Sequence, residues 1–210
     1  MQIFWILFAL VQVILWPPVE LMYKIMNGKD ISISEVPYMM QIRLRDVQMC
    51  GGSLVSPNYV ISAAHCFTAP RLADFTVVGG ATKTFEKGIV RKINRLFIPW
   101  KYRELQFNCD LAVLQLDTPM IGPNIGIIKL CSKIIRVDST LKISGWGRFN
   151  HTSYSDTLYT TTLRVHKCLG PEANPAMSQY KFCASNPISR TCRGDSGGAG
   201  VINGELCGIA

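Results

Sequence analysis

Ser196 lies in the run Cys192-Arg193-Gly194-Asp195-Ser196-Gly197-Gly198. Glycines on both sides of a serine permit a tight turn, because glycine takes φ > 0 without steric cost. Such a turn exposes the hydroxyl and leaves neighbouring backbone N–H groups free to hold an oxyanion. The chemistry is acyl transfer, and it needs a base, since a serine hydroxyl is a weak nucleophile on its own. Histidine suits that role because its pKa lies near neutrality. His65 follows Ala63-Ala64, small residues that allow close packing behind the ring, and Cys66 can pin the turn. Asp110 opens the apolar stretch Leu111 to Leu116, where an ionised carboxylate needs a partner. Each feature alone has a plainer reading: a glycine-rich loop, a structural or metal-binding histidine, and a strand-end cap.

Taken together, the order His65, Asp110, Ser196 resembles the triad of the trypsin/chymotrypsin family of secreted serine proteases. The resemblance runs from about Ile25 to Ala210. Its other motifs are Lys24-Ile25-Met26-Asn27-Gly28, Cys50-Gly51-Gly52-Ser53-Leu54 and Gly145-Trp146-Gly147. It implies Ser196 as nucleophile, His65 as general base and Asp110 as orienter, with an oxyanion hole from the N–H groups of Gly194 and Ser196. It also implies a zymogen: cleavage after Lys24 frees an ammonium at Ile25 that pairs with Asp195. Lys24 by itself is also an ordinary surface lysine. Counting back from Ser196, the resemblance puts Arg190 at the base of the specificity pocket, where trypsin-like members carry an acid. Cleavage after Lys or Arg is then disfavoured.

The elements that must position these residues follow from composition. The chain has 210 residues, 48% hydrophobic and 17% charged, enough for one large globular unit. Strand candidates are Tyr38–Leu44, Tyr59–Ser62, Phe75–Val78, Gly88–Leu96, Leu111–Leu116, Leu158–Val165 and Gly200–Ile202. They are rich in Val, Ile, Thr and aromatics and bounded by turn residues, a pattern of an all-β sandwich or barrel. The resemblance sharpens this to two antiparallel six-stranded barrels, about 25–120 and 130–210. The linker falls near Thr118–Lys129, and the second barrel is incomplete at its C-terminal end. The chain stops before the family's substrate-pairing strand and C-terminal helix.

Residues Ile3 to Trp16 form a largely apolar run closed by Pro17-Pro18. Spanning a bilayer takes about 20 residues, so residues 1–16 read as a signal peptide and 17–24 as a short activation peptide. An uncleaved anchor is the alternative. Export places the eight cysteines in an oxidising compartment. The resemblance pairs Cys50 with Cys66 and Cys168 with Cys183. Cys131–Cys207 is a further candidate, leaving Cys109 and Cys192 free. Asn150-His151-Thr152 is a glycosylation sequon.

The net charge of +8 suits a soluble secreted protein or an anionic partner. No nucleic-acid module is visible, and no CxxC or HxxxH spacing suggests a metal, so no cofactor is expected. Expected partners are protein or peptide substrates, an activating protease and serine protease inhibitors, with no stable membrane association. The competing functions are a catalytically silent binding or regulatory protein of protease fold, an inactive truncated product, and a membrane-anchored protease.

Overall fold

A computed structural model describes residues 28–68, 71–102, 109–147, 155–170, 181–189 and 191–210. The expected signal and activation peptides, with Lys24 and Ile25, lie outside these residues, as do Asn150 and Arg190. Among the described residues the regular structure is strand, with only short 3-10 turns between.

Six strands close a barrel: β2 (Met39–Leu44), β3 (Val47–Ser56), β4 (Tyr59–Ser62), β5 (Phe75–Gly79), β6 (Ile89–Phe97) and β7 (Ala112–Leu116). Its strand order is β2-β3-β4-β7-β6-β5. Alternation builds its interior, since successive residues of a strand face opposite sides. Ala112, Leu114 and Leu116 of β7 point inward and are buried. Met40 and Ile42 of β2 join them, with Leu54, Val60, Phe75 and Val77. Met39, on the opposite face of β2, packs instead with Trp146, Leu158 and Ala199 in a second cluster. β2 is therefore a wall shared by the barrel and the rest of the molecule, which is why its residues are apolar or buried on both faces.

The second half is an open sheet of seven strands. These are β1 (Lys29–Asp30), β8 (Lys129–Leu130), β9 (Thr140–Gly145), β10 (Tyr159–His166), β11 (Cys183–Ser185), β12 (Ala199–Ile202) and β13 (Glu205–Ile209). The order is β1-β10-β9-β12-β13-β8, with β11 also on β10. One pair, β8 with β13, is parallel. The expectation of two antiparallel barrels, the second incomplete, is met by one closed barrel and one largely antiparallel sheet that does not close among the described residues.

The segment between β7 and β8 is stitched to the first barrel. Met120 N–H donates to Pro57 O at 2.7 Å, and Ile128 N–H to Leu54 O at 3.0 Å.

Strands β4, β7 and β10 lie within a residue of where the apolar runs put them. β3 has no counterpart among the sequence candidates, because Gly51-Gly52 at its centre lowers strand propensity. A close approach requires those glycines. A Cβ on Gly51 would lie 3.0 Å from Gly198 Cα, and one on Gly52 2.7 Å from Val60 Cγ1.

Candidate active site

His65 sits in a 3-10 turn, Ala64–Phe67, that follows β4 directly. Asp110 lies two residues before β7. β4 and β7 pair with Ser62 opposite Ala112, so the residues leaving one strand meet those entering the other. The Cys50–Cys66 disulfide ties the His65 turn to β3.

The resulting contact has two prongs. His65 Nδ1 lies 2.7 Å from Asp110 Oδ2, and the His65 backbone N–H donates to Oδ1 at 2.9 Å. An ionised carboxylate is acceptor-only, so the ring proton belongs on Nδ1 and Nε2 keeps its lone pair. Burial pushes the Asp110 carboxyl up. Hydrogen bonds from the His65 ring and from the N–H groups of His65 and Ala64 outweigh it, and the group rests below the ordinary carboxylate range. A histidine held this way can take a proton at Nε2 while its other edge stays anchored.

Ser196 reaches the same place from the other half of the chain. Its turn is built on left-handed glycines, Gly194 at φ 100° and Gly197 at φ 77°. A Cβ on Gly197 would collide with Ser62 Oγ and Gly51 O and come within 2.9 Å of Ala63 N. The turn therefore packs against the end of β4, three residues before His65. Gly51 N–H donates to Ser196 O at 2.8 Å, and Gly197 N–H to Ala210 O at 2.8 Å. The N–H groups of Gly194 and Ser196 have no backbone acceptor among the described residues. Two free donors beside a half-buried hydroxyl can receive developing negative charge.

Asp195 points the other way, into the protein, and is 1% exposed. Its Oδ1 accepts from Gly147 N–H and its Oδ2 from Cys192 N–H, each at 2.8 Å. Side chains at Gly145 or Gly147 would overlap this carboxylate, which accounts for glycine on both sides of Trp146. Burial pushes the Asp195 carboxyl up to about 6, against the pull of the two N–H groups. Among the described residues no cation pairs with it.

Two further disulfides join Cys168 to Cys183 and Cys131 to Cys207, while Cys109 and Cys192 are free. Cys50, His65 and Cys66 lie close enough to suggest a metal site. The two sulfurs are bonded to each other, so neither is a thiolate ligand. A surface cavity of about 670 Å³ is lined by residues such as Ile134, Ile202 and Glu205, and none of His65, Asp110 or Ser196 borders it. Sequence reasoning missed Gln48, a buried β3 side chain that reaches Gly194 O. No local signal marks it, since the contact spans most of the chain.

The trypsin family model matches residues 25–210. Seminase of Drosophila melanogaster is 34% identical over 181 residues, covering 82% of this chain and 66% of that protein. Trypsin of Saccharopolyspora erythraea is 30% identical over 194 residues, covering 88% of this chain and 85% of that protein. Among solved structures, the scabies mite inactivated protease paralogue S-D1 superposes with a TM-score of 0.75 at 26% identity, covering 87% of this chain and 84% of its own. Human heparin binding protein gives a TM-score of 0.74 at 24% identity, covering 88% and 83%, a likeness of fold alone. A family match across nearly the whole described chain, on a fold that joins a histidine–aspartate pair to a glycine-flanked serine, makes this chain a member of the trypsin family of serine proteases.

Proposed function

We propose that the chain is the precursor of a secreted serine endopeptidase that works through an acyl-enzyme. Ser196 Oγ attacks the scissile carbonyl while His65 Nε2 takes its proton. Asp110 holds the ring and balances the imidazolium. The Gly194 and Ser196 N–H groups bind the oxyanion. His65 then returns the proton to the leaving amine, and the C–N bond breaks. Water, deprotonated by the same nitrogen, hydrolyses the ester and frees Ser196. The observation that carries this reading is the two-pronged hold of Asp110 on His65, 2.7 Å at the ring and 2.9 Å at the backbone.

Cleavage after Lys24 by a trypsin-like protease activates it. The new Ile25 ammonium pairs with Asp195, whose buried carboxylate has only two neutral donors in the described structure. Three disulfides support an extracellular location reached through a signal peptide at residues 1–16. Asn150 carries a glycan. Substrates are proteins or peptides, and serine protease inhibitors act on the same site. Arg190 at the pocket base repels Lys and Arg and favours an acidic residue before the scissile bond.

The test is covalent labelling by a fluorophosphonate probe, before and after cleavage at Lys24–Ile25. Labelling of the cut form that Ser196→Ala abolishes supports the reading. A cut, folded chain that resists the probe overturns it. That result favours the second reading, a catalytically silent protein of protease fold. The likeness to an inactivated protease paralogue keeps that second reading in view.

A further inference from the structure

Gln48 is 7% exposed and lies near the start of β3, far in sequence from the Ser196 turn. Its Nε2 donates to Gly194 O at 3.2 Å and to Cys50 O at 3.3 Å. Both partners are carbonyl oxygens, so the amide nitrogen must face them. The amide oxygen is then left buried with no hydrogen-bond partner. An unpaired buried acceptor is unfavourable, and an apolar side chain of the same size would avoid that cost. A polar residue kept under those conditions points to the one thing its N–H does across the fold, which is to grip Gly194.

Gly194 needs a grip. At φ 100° it occupies a region open to glycine alone, and glycine swings easily between backbone states. The peptide unit that follows it has two handles. Its N–H, on Asp195, donates to Cys192 O at 3.0 Å. Its C=O, on Gly194, accepts from Gln48. Clamping both ends fixes the plane of that unit, which meets at the Gly194 Cα the preceding unit that carries the Gly194 N–H, a donor with no backbone acceptor among the described residues, and so narrows the range over which that N–H can swing. We infer that Gln48 is a positioning residue that sets the oxyanion-binding geometry of Gly194 from the first barrel. The inference deepens the proposed function and rests on it for its catalytic consequence. The structural half stands apart from activity.

The test uses Gln48→Met, which keeps the length of the side chain and removes the donor. In the intact chain, hydrogen exchange of the peptide covering residues 191–198 should quicken about tenfold, with β4 and β7 unchanged. In the chain cut after Lys24, kcat for a peptide substrate should fall roughly tenfold to a hundredfold while KM stays within about twofold. Gln48→His, which offers an N–H at similar reach, should restore most of both. If Gln48→Met fails to fold, Gln48→Asn, one methylene too short to reach, replaces it with the same expectations. Unchanged exchange at 191–198 overturns the inference. So does a loss carried by KM alone, or equal damage in the Gln48→His variant. If the wild type never turns over substrate yet exchange at 191–198 still responds to Gln48, the clamp stands and the enzyme reading falls.

Discussion

The closed barrel and the open sheet contribute unequally. Among the described residues, sixteen buried ones in and around the barrel make one continuous core, from Met40 and Ile42 to Leu116 and Met120. Across the open sheet the buried residues split in two: Leu141, Ile143, Leu163 and Val165 form a small group, and the larger one leans on the barrel through Met39. Closure removes strand edges, whereas the open sheet runs out in the two-residue strands β1 and β8. The histidine–aspartate pair belongs wholly to the closed half and is held by strand register and a disulfide. The serine turn belongs to the open half. It leans on the barrel through Gly51, Ser62 and Gln48. The closed half is the reference frame, and the open half brings the Ser196 turn to it.

The largest expected effect tests whether the halves act as one device. In the cut chain, His65→Ala and Ser196→Ala should each lower kcat by about 10⁴-fold or more, and the double variant should fall little further. Additive losses measured by steady-state kinetics would separate the two halves chemically.

Disulfides should rank the halves by the loops they close. In a chain-entropy view, Cys131–Cys207, separated by 76 residues, constrains the unfolded chain more than Cys50–Cys66, separated by 16. Replacing each pair by serine should cost about 4 and about 3 kcal/mol respectively, read by denaturant unfolding. The reverse order would show that the His65 turn, rather than the unfolded chain, feels the loss.

Core truncation compares the halves directly. Leu114 is 0% exposed inside the barrel, and Leu163 is 6% exposed in the small cluster of the sheet. Leu114→Ala should cost roughly 3–5 kcal/mol, and Leu163→Ala nearer 2, because an open sheet can collapse around a lost side chain. Equal costs would mean that both halves are equally rigid.

Asp195 gives an effect confined to a narrow pH window and one that reverses. Its carboxyl is pushed up to about 6 in the folded chain, above the ordinary unfolded value near 4. Between those values the folded state holds the proton more tightly. Stability therefore falls as pH rises from about 4 through about 6, by about 3 kcal/mol in all for this group. Asp195→Asn should lack that slope. Cleavage after Lys24 should reverse it, because an ammonium partner favours the charged form. Parallel pH–stability curves for the cut and uncut chains would refute the pairing with Ile25.

Much of the fold is legible in the chain because the responsible signals are local. β4 and β7 are short apolar runs with β-branched or alternating residues, and period-two burial follows from the pleat. β3 was hidden because its central glycines serve an approach by Gly198, a requirement written nearly 150 residues away. That the second half stays open among the described residues agrees with the incomplete second barrel that the resemblance implied, whereas the order in which its strands pair is not encoded in apolar runs. Within the site, the sequence singled out His65, Asp110 and Ser196 by residue type and context, and the resemblance added Asp195. It could not reveal that Ser62 opposes Ala112, nor that Gln48 reaches Gly194.

The sequence by itself therefore determined the all-β class and the glycines that allow the Ser196 turn, which rest on steric and periodic properties of neighbouring residues, and its motifs carried the resemblance to the family. Only the tertiary structure decided that Asp110 meets His65 by two hydrogen bonds, that Asp195 is buried with neutral partners, and that a barrel glutamine grips Gly194. Those outcomes depend on which distant backbones approach and on what burial removes from water, and neither is a property of any short stretch of chain.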